Sequence, residues 1–285
     1  MTDPFPPLVS TDWLAARLGR EGIRALDASW YLPTSGRDPL AEYAAGHIPG
    51  ALFFDLDAAS DLSSPLPHML PSAADFAERM AAMGLDDADD IVFYDGSGMN
   101  LSAARGWWMF RVFGHERVAV LDGGLLKWRD EGHPLEAGVT RLPRGRFTAR
   151  RDAARVRDLA SVREALASGS EQVVDMRSAG RFAGAEPEPR PGLRGGHMPG
   201  SLNLPVQELV ASDGTVLSPV ELRRRIQDAG IDLGRPVIAS CGSGTSACAL
   251  IHALHLLGDD QAALYDGSWT EWGGRTDTPV VTGPA

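Results

Sequence analysis

Cysteine is nearly absent from this chain. Only Cys241 and Cys248 occur among 285 residues, too few for a disulfide framework and without the further ligands a zinc site needs. A reducing compartment is expected. Positive charge is also scarce: 38 acidic residues stand against 27 Lys and Arg, for a net charge of -11. The chain as a whole should repel a nucleic-acid backbone or an anionic membrane surface, so an anionic substrate would need locally placed arginines. No run approaches the roughly 18 apolar residues of a spanning helix. The most apolar helical stretch, 247 to 257, is interrupted by His252 and His255. The opening residues Met1 to Pro7 lack the basic start and apolar core of a secretory leader, so a cytoplasmic location is expected. What remains is an ordinary globular composition, 44% hydrophobic and 23% charged, at a length that suits two domains.

Internal repetition is present in place of those features. Leu26-Asp27-Ala28, Gly46-His47-Ile48-Pro49-Gly50, the run Ile91 to Gly98 and Leu121-Asp122-Gly123 with Trp128 mark the first half. Val174-Asp175-Met176, Gly196-His197-Met198-Pro199-Gly200, the run Val237 to Gly244 and Tyr265-Asp266-Gly267 with Trp272 follow in the same order. Paired landmarks stand 144 to 150 residues apart. Units of that size are domains, so the chain reads as a duplication.

Within each copy, short apolar runs alternate with helical segments, which predicts an α/β fold with a mainly parallel sheet flanked by helices. Strands are expected at 24–27, 91–94, 118–121, 173–176, 237–240 and 262–265. Ser72 is an expected N-cap. Ser218-Pro219-Val220-Glu221 combines an N-cap, a proline at the first helical position and a capping-box glutamate, with Gly230 closing that helix. The domains are expected at 1–138 and 157–285. Between them, residues 139–156 hold Arg141, Arg144, Arg146, Arg150, Arg151 and Arg155 against the single acid Asp152. This basic connector is expected to lie, solvated, across an acidic surface.

Open parallel sheets bind ligands beyond the carboxyl ends of their strands, where helix N-termini offer free N–H groups. Cys241 falls at such a point, and Gly242, Ser243 and Gly244 let the backbone fold around its sulfur before a helix starts near Ser246. A ring of N–H donors there would stabilise a thiolate nucleophile. Cys248, seven residues on, reads as a buried helix residue. Two other loops look alike. The run Gly242 to Ala247 fits the dinucleotide pattern G-x-G-x-x-G/A with Asp266 beyond it, but under 50 residues remain for the rest of a nucleotide fold. A cysteine phosphatase would need an arginine at Ala247, and no basic residue lies between Cys241 and Cys248.

The paired Gly-His-Ile/Met-Pro-Gly segments, the two strand-loop-helix turns and the Asp-Gly-x-x-x-x-Trp motifs resemble the two-domain rhodanese family of sulfurtransferases over nearly the whole chain. The loop Cys241-Gly242-Ser243-Gly244-Thr245 is similar to that of its 3-mercaptopyruvate sulfurtransferases, whereas thiosulfate-using members carry Arg and Lys inside this loop. Arg181-Phe182, Glu186-Pro187-Glu188-Pro189-Arg190, Trp30, Phe54-Asp55, Ser64-Pro65 and His68-Met69-Leu70-Pro71 extend the match. Leu101 departs from it, standing where the family often has an aromatic residue facing the substrate. The resemblance implies sulfur transfer from 3-mercaptopyruvate through a Cys241 persulfide to a small thiol, a thioredoxin-like protein or cyanide, releasing pyruvate, with no metal or organic cofactor. It implies that Arg181 and Arg190 hold the substrate and that Ser243, His47 and Asp38 form a proton relay. The competing reading of His47 and His197 is that both pin a turn. For the two arginines, the competing reading is a surface ion pair with Glu186 or Glu188. Gly242, Gly244, Thr245 and Ser246 would cradle the sulfur, with the alternative that the two hydroxyls only cap the helix. Trp30 would wall the substrate cleft from the first copy, against core packing. Asp95 takes the nucleophile's place in that copy, which is therefore expected to be catalytically silent. A thiosulfate-preferring enzyme and a non-enzymatic persulfide relay module remain as alternatives.

Overall fold

The computed structural model describes residues 5–284. Met1 to Pro4, on which part of the leader argument rests, lie outside the described residues, as does Ala285. The chain divides into two compact units. The first holds the stretch up to Leu62, Leu70–Asp152 and Ala211–Val216. The second holds Ser63–Met69, Ala153–Val210 and the stretch from Leu217 onward. Residues 139–152 thus belong to the first unit, and one short segment of each half belongs to the other half's unit.

Each unit is built on a five-stranded sheet in which every pairing is parallel. In the first unit β1 (Leu8–Val9), β2 (Ile23–Asp27), β3 (Leu52–Phe53), β4 (Asp90–Tyr94) and β5 (Val118–Leu121) run in the order β1-β5-β4-β2-β3. In the second, β6 (Val156–Arg157), β7 (Gln172–Asp175), β8 (Leu202–Asn203), β9 (Val237–Ser240) and β10 (Ala263–Tyr265) run in the matching order β6-β10-β9-β7-β8. The six strands expected from the sequence are present within a residue or so at their ends. The four edge strands are missing from that expectation because each is two residues long, too short to show a periodic pattern.

The inner strands β4, β5, β7, β9 and β10 are buried almost throughout, which is why they read as unbroken apolar runs. Helices start where side chains can take orphan N–H groups. Ser72 Oγ accepts from the Asp75 amide at 3.1 Å and opens Ala73–Ala82. Ser218 Oγ accepts from the Glu221 amide at 3.3 Å and opens Pro219–Asp228, with Gly230 beyond it in the left-handed conformation. The two cores repeat each other. Ile48 and Trp128 pack in the first, Met198 and Trp272 in the second. Both tryptophans donate their indole N–H to a proline carbonyl, Trp128 to Pro134 at 2.9 Å and Trp272 to Pro279 at 2.8 Å.

The basic connector is strapped to acidic groups of the first unit. Arg144 donates to both carboxylate oxygens of Glu78 at 2.8 and 2.6 Å. The backbone amides of Arg146 and Thr148 donate to Asp86 and Asp87. Among the described residues no helix is long and apolar enough to cross a membrane.

Candidate active site

β9 is the central strand of the second sheet, and Cys241 is the first residue past its carboxyl end. The loop it opens is fixed from beneath by the next strand-helix junction. Cys241 N–H donates to Ser268 Oγ at 3.2 Å, and Cys241 C=O accepts from the Trp269 amide at 3.0 Å. Gly242 C=O accepts from both the amide and the hydroxyl of Thr270, at 2.9 and 2.7 Å. Ser268 holds a left-handed φ of 49°. For a residue with a Cβ that is an uncommon conformation, retained where the surroundings over-determine it. The sequence showed Asp266-Gly267 and Trp272 as repeat landmarks but gave no sign that Ser268 and Thr270 carry the cysteine loop, because those contacts depend on β9 and β10 being neighbours.

Cys241 is buried at 2% exposure. Gly244 has a φ of 76°, which requires glycine. Gly242 has no such backbone demand. A Cβ there would instead stand 3.2 Å from Arg181 Nη2 and 3.8 Å from Arg190 Nη1. The structure therefore brings both predicted arginines to the residue after the cysteine. Arg181 lies on the short helix Ala179–Ala183, capped by Ser178, and Arg190 in the turn that follows.

Arg181 pairs with Glu188, one of the two carboxylates weighed as a competing partner, but not at the surface. Its Nη2 donates to Glu188 Oε2 at 2.5 Å and its Nε to Oε1 at 3.3 Å, and the glutamate side chain is 1% exposed. Glu186 instead accepts from the Ser178 hydroxyl at 2.8 Å. Behind Glu188 stands Arg177, fully buried. Its Nη1 donates to Glu188 Oε1 at 2.6 Å, its Nη2 to Asp175 Oδ2 at 2.6 Å and to Gly196 C=O at 2.7 Å. Its guanidinium carbon lies 4.1 Å from the Trp269 ring centroid. Arg177 and Glu188 are site residues that sequence reasoning missed as such. An arginine two residues past a strand gives no local sign of being interior.

Of the residues expected to form a relay, Ser243 meets a histidine other than His47. Ser243 Oγ is 3.0 Å from His68 Nδ1, and the same nitrogen is 3.0 Å from Thr245 Oγ1. His68, buried at 3% exposure and at a left-handed φ of 61°, belongs to the second unit through the segment Ser63–Met69. His47 spends both ring nitrogens elsewhere, Nδ1 on Tyr43 C=O at 2.9 Å and Nε2 on Thr140 Oγ1 at 3.3 Å, and stacks on the Tyr43 ring. Its backbone bridges Glu136, as that of His197 bridges Val281. His197 likewise gives Nδ1 to Phe182 C=O at 2.9 Å and stacks on that ring. Both histidines pin a turn. Asp38 caps the helix Pro39–Ala45 by accepting from the Ala41 amide at 3.0 Å. The segment His68 to Pro71 supplied the motif for the missed histidine, but its place beside Ser243 is a long-range contact.

Ser246 begins the helix Ala247–Leu256 without a side-chain capping bond. Cys248 lies on that helix, fully buried, its thiol 3.3 Å from Gly244 C=O. Trp30, half-buried after β2, donates its indole N–H to Asp57 Oδ2 at 3.0 Å.

A cysteine on a glycine loop at the end of a central parallel strand, in the second of two copies of one sheet topology, matches a tandem α/β protein of the rhodanese type. The chain belongs to the rhodanese family: the rhodanese-like domain matches it twice, over residues 10–131 and 158–275. It is 45% identical to the human 3-mercaptopyruvate sulfurtransferase over 93% of this chain and 91% of that protein. It is 44% identical to the thiosulfate sulfurtransferase of Cricetulus griseus over 94% of this chain and 92% of that one. The crystal structure of SseA from Escherichia coli, a 3-mercaptopyruvate sulfotransferase, superposes with a TM-score of 0.85. That match has 40% identity and covers 92% of this chain and 98% of the other.

Proposed function

We propose that the protein transfers sulfur from 3-mercaptopyruvate through a persulfide on Cys241. The observation that carries this reading is the pair of guanidinium groups beside Gly242. An α-keto acid offers a carboxylate and a carbonyl within a few ångströms of its sulfur, and two planar forks suit that pair, Arg190 for the carboxylate and Arg181 for the carbonyl.

In the first step the Cys241 thiolate attacks the donor sulfur. A sulfur–sulfur bond forms, the carbon–sulfur bond breaks, and its electron pair leaves on carbon as the enolate of pyruvate. The enolate takes one proton to become pyruvate. Ser243, hydrogen-bonded to His68, is positioned for this proton in place of the set with His47 and Asp38. In the second step an acceptor thiolate or cyanide attacks the outer sulfur, and the Cys241 thiolate returns as the leaving group. Backbone N–H groups of the loop Gly242 to Ser246 suit both the thiolate and the persulfide anion. A small thiol or a thioredoxin-like protein fits the acceptor role, and a reducing compartment such as the cytoplasm keeps the thiol free.

Thiosulfate is the rival donor, and the relatives include enzymes named for it. The loop from Cys241 to Cys248 has no basic side chain of its own for a second negative charge. The test compares pyruvate release from 3-mercaptopyruvate with turnover of thiosulfate, and follows Cys241 by mass spectrometry for a gain of one sulfur atom. Equal efficiency on both donors would reject the donor assignment. No gain of sulfur on Cys241 with either donor would reject sulfur transfer.

A further inference from the structure

Four charged side chains form one buried series at the edge of the cysteine loop. Asp175 ends β7 and Arg177 straddles its carboxylate, with side chains of 0% exposure on both. Glu188, 1% exposed, accepts from Arg177 on one oxygen at 2.6 Å and from Arg181 on the other at 2.5 Å. Arg181, 22% exposed, ends the series, with Nη2 the atom nearest the Cβ position of Gly242. Two carboxylates and two guanidiniums alternate, so their charges cancel. A carboxylate held away from water between two guanidiniums fixes both partners in place, and it also weakens the positive field that the outer guanidinium projects. Glu188 thus does two things to Arg181. It pins the planar fork, and it offsets its charge at a distance of one hydrogen bond.

We propose that Glu188 is a positioning residue that sets donor preference, pinning Arg181 for a single-charged α-keto acid and limiting the positive charge available to a dianion such as thiosulfate. This rests on the sulfurtransferase reading of the site. Removing its charge while keeping its shape, by Glu188→Gln, leaves the edge of the loop one unit more positive and Arg181 less firmly held. The two donors should respond in opposite senses. A looser fork weakens binding of the keto acid, whereas an added positive charge favours the dianion.

The experiment measures kcat and KM for 3-mercaptopyruvate and for thiosulfate, with cyanide as common acceptor, in the full chain, Glu188→Gln, Arg181→Ala and the double variant. In Glu188→Gln the ratio of kcat/KM for thiosulfate to that for 3-mercaptopyruvate should rise about tenfold, carried mainly by KM. In the Arg181→Ala background the same substitution should leave the ratio unchanged, because the residue acts through the arginine. An equal fall for both donors, an unchanged ratio, or a rise that persists without Arg181 would overturn the proposal. Glu188→Asp covers the case in which the glutamine variant does not fold. It keeps the charge but shortens the reach, and should raise KM for the keto acid without raising thiosulfate turnover. A gain in thiosulfate turnover in that variant would also overturn it. Mass spectrometry of Cys241 in the unmodified protein separates the two levels of failure. Absence of the added sulfur removes the sulfurtransferase reading, whereas a labelled Cys241 with an unmoved ratio removes only the role of Glu188.

Discussion

The loop after β4 and the loop after β9 occupy equivalent places in two copies of one sheet, yet each satisfies its backbone donors differently. In the first copy the carboxylate of Asp95 turns back into its own loop. It accepts from the amides of Ser97, Ser102 and Ala103 at 2.8, 3.0 and 3.0 Å and from the hydroxyls of Ser97 and Ser102 at 2.5 and 3.1 Å. The anion that a helix N-terminus favours is built into the chain. In the second copy Cys241 stands at that position with Arg181 and Arg190 beside the next residue. One loop is filled by its own carboxylate and the other has two guanidinium groups at its edge.

The supports of the two loops differ in the same sense. The Leu125 amide donates to Asp95 C=O at 3.0 Å, as the Trp269 amide donates to Cys241 C=O. At the preceding position the first copy has Gly124 at φ 57° and the second has Ser268 at φ 49°. The second copy accepts a strained serine and uses its hydroxyl to take the Cys241 N–H. One strand away, Asp175 has the guanidinium of Arg177 as partner, whereas the matching Asp27 meets the uncharged Ser29 and Tyr94. Burial, with the nearby charge of Asp95, pushes Asp27 up to about 6.

The largest break in the comparison is Cys241→Ser, which should abolish sulfur transfer and leave the thermal unfolding transition in place, since a hydroxyl forms no persulfide. Cys248→Ser should stay active. Pyruvate release measures both, and loss only in the second variant would identify the wrong thiol.

Asp95→Ala strikes the other loop. It leaves buried N–H and O–H donors without their acceptor at a helix N-terminus, at a cost of roughly 3–5 kcal/mol of stability by chemical denaturation. A loss under 1 kcal/mol would mean that the filled cradle contributes little to the first copy.

Asp27→Asn tests the missing arginine. The folded chain holds the Asp27 proton up to about pH 6, whereas an ordinary carboxyl releases it near 3.8. Folded molecules therefore bind more protons between these values, and stability falls as pH rises through that window and stays lower above it. The asparagine variant should match the unmodified protein below pH 4 and exceed it by up to about 3 kcal/mol above pH 6. Parallel denaturation curves at pH 4 and pH 7 check this.

Arg190→Ala should lower kcat/KM for 3-mercaptopyruvate by roughly tenfold to a hundredfold, the scale of one lost charge-assisted hydrogen bond. Unchanged kinetics would leave the keto acid's carboxylate without its assigned partner. The smallest effect concerns the histidines. His68→Gln should reduce turnover by about tenfold at little cost in stability, whereas His47→Gln should do the reverse, seen by comparing kcat with the unfolding midpoint.

The histidines also show where sequence reading ends. His47 and His197 stand in matching motifs, and that repetition pointed to a shared role in each turn. It was equally visible that Asp95 replaces the cysteine and that no basic residue lies within the loop. Ser243's actual partner lies 175 positions away in the chain, in a segment without a counterpart among the four repeat landmarks. Glu188 read as a surface acid because charged residues are rarely interior, and it is interior here because Arg177 and Arg181 meet it from both sides.

The sequence by itself determined what periodicity and local chemistry encode: two copies of a parallel α/β unit, the strand ends where loops open, the helix caps at Ser72 and Ser218, and Cys241 as the one cysteine placed on such a loop. These follow from interactions within a few residues or from a pattern repeated along the chain. Only the tertiary structure decided that Ser268 and Thr270 hold the cysteine loop, that His68 faces Ser243, and that a buried series of charges aims Arg181 at Gly242. Each of these depends on distant segments meeting at the carboxyl edge of a sheet. Packing and charge balance choose those neighbours, and no local spacing records the choice.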